Sequence, residues 1–133
     1  MRNKKLEQTI ALMENYLECW KQFPNFIGMA RSKNFTQDDE NQFLEIKSVI
    51  TQQLELILAA FETPVVNRDD IHGLLHNASS ISAMSVLSEA ALRNLENQWH
   101  KIFISLQAVL GQLKVQQQKL AGESFFSGLF RKK

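Results

Sequence analysis

Cysteine is nearly absent: Cys19 stands alone among 133 residues, so no internal disulfide can form. None is needed, because a chain of this length buries about two thirds of its unfolded surface. Proline and glycine are scarce too, at two and five residues, which argues against the turn-dense pattern of an all-β domain. No apolar run reaches the roughly 20 residues that cross a bilayer. The best, residues 102–113, is interrupted by Ser105, Gln107 and Gln112. The opening residues are basic but lack a continuous apolar stretch, so no signal peptide is expected. A glycine-rich phosphate loop, a GxSxG elbow and a dinucleotide fingerprint are all missing. Excess positive charge is missing as well: the net charge is +1, and no nucleic-acid partner is expected. What remains is 44% hydrophobic and 22% charged residues, which excludes a disordered or collagen-like chain. These absences predict a single cytoplasmic domain that is not an enzyme and carries no cofactor.

Apolar residues return every three or four positions, which predicts four helices. In the first, over residues 3–22, the seam is Leu6, Ile10, Met13, Leu17 and Trp20, and Pro24 is expected to stop it because proline lacks the amide. Phe23, Phe26, Ile27 and Phe35 then belong to a loop that caps one end of the core. The second helix spans residues 37–62, with Thr36 and Asp39 placed for a capping box and Phe43, Ile46, Ile50, Leu54, Ile57 and Phe61 on the buried face. Thr63-Pro64 ends it. The third begins after Asn67, buries Ile71, Leu74, Leu75, Ala78 and Ile81, and weakens in the serine-rich stretch between Ser82 and Leu87. Ser88 caps the fourth, whose seam is Leu92, Leu95, Trp99, Ile102, Leu106, Val109, Leu113 and Leu120. Gly122 is its expected stop, in the left-handed conformation. The expected architecture is all-α: an antiparallel up-down four-helix bundle over residues 1–122, followed by an amphipathic tail over residues 123–133. The long fourth helix has a coiled-coil pattern, and a homodimer through it is expected.

Charge is unevenly spread. Residues 37–70 carry Asp38, Asp39, Glu40, Glu45, Glu55, Glu62, Asp69 and Asp70 against Lys47 and Arg68, a local −6, so the remainder is +7. Arg2, Lys4 and Lys5 open the chain, and Arg131, Lys132 and Lys133 close it. In the tail, Phe125, Phe126, Leu129 and Phe130 share one face of a helical turn, directly before those three cations. Rings beside cations suit a docking element, for the open end of their own bundle, for a protein groove or, weakly, for an anionic membrane surface. This tail is the expected binding site, and the expected role is a non-catalytic interaction or adaptor module.

The histidines offer alternatives. Asp69, His72 and His76 fall one turn apart on the third helix, a spacing at which side chains can share a metal ion. His100, one turn after Glu96, is positioned to join them if the third and fourth helices face each other. Residues 72–83, HGLLHNASSISA, resemble the active helix of histidine phosphotransfer domains. His72 matches the phosphorylated histidine, Leu74 the leucine, and residues 78–83 the run of small residues. Leu75 stands where that family has lysine, and His76 where it has glycine. The resemblance is confined to this stretch; it implies a four-helix bundle and phosphotransfer through His72. Cys19, beside Trp20, reads as a packing residue rather than a nucleophile. Gly73 and Gly111, inside helices, invite an explanation by close packing.

Overall fold

Helical periodicity dominates the sequence, and the computed structural model has five helices and no strand among the described residues. It describes the backbone of residues 3–131 and the side chains of residues 3–122. The helices are α1 (Lys4–Ser32), α2 (Gln37–Ala60), α3 (Arg68–Asn77), α4 (Ile81–Ser85) and α5 (Glu89–Arg131). Five stand where four were expected, because the predicted third helix is two pieces.

The second departure is in α1, which passes through Pro24 and continues to Ser32. Proline removes the amide that would bond to the carbonyl four residues earlier, here that of Trp20. The Trp99 indole, from α5, donates to this same Trp20 carbonyl at 2.8 Å. A side chain 79 positions away in sequence thus satisfies the acceptor that Pro24 leaves open. Phe23, Phe26 and Ile27 therefore lie on the buried face of a helix, not in a loop. Lys33 ends α1 in the left-handed region, at φ 56°. Its amide donates to the Ala30 carbonyl and that of Asn34 to the Met29 carbonyl, closing a Schellman turn without glycine.

Elsewhere the local signals act as expected. Thr36 and Asp39 form a reciprocal capping box at the start of α2. The Asn67 side chain accepts from the amides of Asp69 and Asp70, and the Ser88 hydroxyl accepts from that of Ala91. The break between α3 and α4 is held from α2. Glu40 accepts from the Ile81 amide at 2.6 Å and from the Ser82 hydroxyl at 2.8 Å, while Lys47 donates to the Ser79 carbonyl at 3.0 Å. Ser80 caps α4 by accepting from the Ala83 amide.

The core is one cluster drawn from all five helices. The α1 seam is buried from Leu6 to Ala30, and the α5 seam from Leu92 to Leu113, with Trp99 and Leu120 half-buried. Rings form its densest part: Trp20 stacks on Phe23 at 5.8 Å, and Phe43 meets Phe23 at 5.4 Å and Phe26 at 5.0 Å. Each such ring contributes about 1.5–3 kcal/mol through burial. Arg31 ties the end of α1 to the start of α5 through Glu89 and Glu96. At Gly122, α5 does not stop. No described glycine has a positive φ, and the helix continues to Arg131. One interior glycine costs only about 1 kcal/mol relative to alanine, less than a long helix needs to break. Among the described residues, no helix is long and apolar enough to cross a membrane.

Candidate functional site

Helix α2 ends where Thr63-Pro64 denies it further amides, and Phe61 leaves it in an extended conformation, at φ −119°. The chain then crosses to Asn67, which starts α3. In making that crossing it leaves a groove of about 750 Å³ against α5. Val66, Ile71 and Ile102 are buried at its floor, and Phe61 and Val65 are half-buried at its sides. Glu62, Asp70, Arg68 and Lys101 are exposed around it. Arg68 is engaged, donating to Glu55 at 2.8 Å. The groove thus has an apolar bottom and a polar edge, the form of a site that takes an apolar group and orients it by charge. No sequence motif marks it. Its one signal was the apolar Val65-Val66 pair inside an otherwise turn-forming linker.

A second apolar feature lies on α5 itself. Ile104 and Val115 are 49% and 52% exposed, on a face distinct from the buried seam. Ala108 and Gly111 lie on the same face and are exposed. A Cβ added at Gly73, Gly111 or Gly122 would meet nothing within 4 Å, so close packing inside the chain does not explain these glycines.

The predicted docking face of Phe125, Phe126, Leu129, Phe130 and Arg131 lies outside the described side chains. Lys132 and Lys133 lie outside the described residues altogether. The backbone of residues 123–131 continues α5 without a break.

The histidine constellation does not assemble. Asp69, His72 and His76 are exposed on α3, and among the described residues no three histidine, cysteine or acidic side chains are grouped to hold a metal ion. Glu96 turns to Arg31 rather than to His100, because the guanidinium offers a charged partner across the α1–α5 contact. The stretch resembling a phosphotransfer helix is split: His72 lies on α3, Ala78 ends that helix, and Ile81 opens α4. The serines there serve the joint, Ser80 as a cap and Ser82 as a donor to Glu40.

Three titrating groups are perturbed by burial. Burial pushes the Cys19 thiol up, with Glu18 adding to it, so the thiolate is disfavoured. Lys47 is lowered by burial beside the Phe43 ring. Tyr16 is raised by burial, the neighbouring Trp20 indole offsetting only part of this. Its hydroxyl and the Trp20 indole N–H are both buried without a hydrogen-bond partner in the required geometry. Comparison with protein-family models, with curated proteins and with solved structures found no match.

Proposed function

We propose that the protein is a non-catalytic helical interaction module whose docking element is the segment of Phe125, Phe126, Leu129 and Phe130 with Arg131, Lys132 and Lys133. In this reading the helices form an up-down four-helix bundle in which α3 and α4 share the third position. Three sets of contacts support that order: Arg31 with Glu89 and Glu96, Arg68 with Glu55, and Glu40 with Ile81. The observation that carries the functional reading is the length of α5. Leu120 is the last described residue packed against the core, yet the helix backbone runs on to Arg131. Those further residues span about 16 Å at 1.5 Å per residue. A helix whose backbone continues through a sequence of rings and cations offers the form of a helical docking element.

The test compares the full chain with a Phe126→Ser/Phe130→Ser variant. Circular dichroism is expected to be unchanged, while binding to a second copy, another protein or anionic vesicles is lost. A variant that binds as its parent does, or that unfolds, overturns the reading.

The alternative is phosphotransfer through His72. One observation favours it: the imidazole is exposed on α3, where a receiver domain can reach it. Incubation with a phosphorylated receiver domain is its test, and absence of label on His72 ends it.

A further inference from the structure

The groove against α5 has an apolar floor and the exposed acids Glu62 and Asp70 at its edge, with Arg68 taken up by Glu55, and a segment that combines apolar rings with positive charge lies in this chain at residues 125–133. It cannot reach its own groove. Residues 102 and 126 lie on one unbroken helix, about 36 Å apart at 1.5 Å per residue. A second copy can reach it. Along α5 a stripe of Ile104, Ala108, Gly111, Val115 and Gly122 recurs at three- and four-residue steps, broken only by Gln118, and continues in sequence into Phe126 and Leu129. It is exposed or open at every described position before Gly122, with Ile104 49% and Val115 52% exposed.

Two copies of α5 laid antiparallel about a two-fold axis at Val115 bring these parts into register. Residue 126 of one copy then stands level with Ile104 of the other, residue 129 with Lys101, and residue 122 with Ala108. Small residues at 108, 111 and 122 allow the two backbones to come close. The same register sets residues 131–133 level with residues 97–99, next to the groove that Asp70 from the first turn of α3 lines. Charge agrees with this direction. Glu62, Asp69 and Asp70 are exposed at or next to the groove, Glu55 being paired with Arg68, while the segment ends in three cations. Of the described cations lining the groove, Arg68 is paired with Glu55, and Lys101 stands level with Leu129. A parallel pairing instead sets the cation clusters of both copies side by side and leaves both grooves empty.

We propose that the groove between the 61–67 connection and α5 receives residues 125–133 of a second copy, in an antiparallel dimer whose two α5 helices cross near Val115. This rests on the reading of that segment as a docking element and names what it docks on.

Analytical ultracentrifugation of the full chain tests it. The parent is expected to be a dimer and Phe126→Ser/Phe130→Ser a monomer of unchanged helicity. Glu62→Lys/Asp70→Lys and Lys132→Glu/Lys133→Glu are each expected to weaken the dimer about tenfold, and combining the two pairs restores it. In a Cys19→Ser background, Val115→Cys is expected to form a disulfide between copies on mild oxidation. A parent that stays monomeric at about 100 μM overturns the inference; so does a dimer indifferent to both charge reversals. If the parent is monomeric but binds anionic vesicles through Phe126 and Phe130, the groove assignment falls and the docking-element reading stands. If the double serine variant changes neither association nor vesicle binding, both fall.

Discussion

The two halves of α1 lie in different surroundings. Around Trp20, Phe23, Phe26 and Ile27, the helix meets Phe43 from α2, the short helix α4 and the start of α5, and Trp20, Phe23 and Ile27 are fully buried. Around Leu6 and Ile10 it faces the later part of α5, where Val109 and Leu113 still touch solvent and half-buried Leu110 and Leu120 complete the packing. Both halves carry the same three-four apolar pattern. The difference is how many elements close over it. Aromatic residues and a fourth segment seal one end, whereas the other end leaves apolar surface on α5 and a groove beside it. The first end is closed on all sides, and the second leaves apolar side chains in contact with solvent.

The sharpest way to break that comparison is to remove one core side chain from each end. Phe23→Ala empties a fully enclosed site and is expected to cost about 3–5 kcal/mol; Leu113→Ala, at the more open end, is expected to cost about 2–3 kcal/mol. Urea denaturation measures both, and equal losses would erase the distinction. Next in size is Trp99→Phe, which leaves the Trp20 carbonyl without its donor and is expected to cost about 2 kcal/mol. Pro24→Ala supplies a backbone amide for the same carbonyl. In that background Trp99→Phe should cost distinctly less, and a double-mutant cycle with no coupling would dismiss the compensation. Glu40→Ala removes the acceptor for the Ile81 amide and the Ser82 hydroxyl. It is expected to cost about 1 kcal/mol, with faster amide exchange in α4 than in α2.

The smallest effect at neutral pH belongs to Tyr16→Phe, since the hydroxyl it removes is buried without a partner. Stability is expected to change by less than about 1 kcal/mol, or to rise. Its signature lies in alkali. Burial raises the phenol above its ordinary value of 10.0, so above that pH the unfolded chain releases a proton that the native chain keeps. The Tyr16 contribution is therefore complete below pH 10 and is lost as pH rises beyond it. Lys47, lowered by burial, acts in the opposite direction in alkali and is common to both proteins. Thermal melts on either side of pH 10 should show the parent falling further than Tyr16→Phe; parallel curves would remove Tyr16 as the cause.

Much of the fold was legible in the residues. Thr36 with Asp39, Asn67 and Ser88 cap the helices they were expected to cap, because a cap depends on atoms three residues away. The seams of α1 and α5 are buried as their spacing required. Less of the site was legible. The spacing of Asp69, His72 and His76 set them on one helix but could not bring a further ligand to them. The groove arises where residues near 65 meet residues near 102, a juxtaposition that no local pattern encodes.

Periodicity and capping are short-range, so the order of amino acids was enough to establish an all-helical chain, the starts of α2, α3 and α5, and the faces that turn inward. Where α1 ends, how Pro24 is tolerated, why α3 and α4 separate and where a cavity opens were settled only by folding. Each depends on a group distant in the chain, such as the Trp99 indole on the Trp20 carbonyl or the Glu40 carboxylate on the Ile81 amide, and such partners exist only once the helices pack.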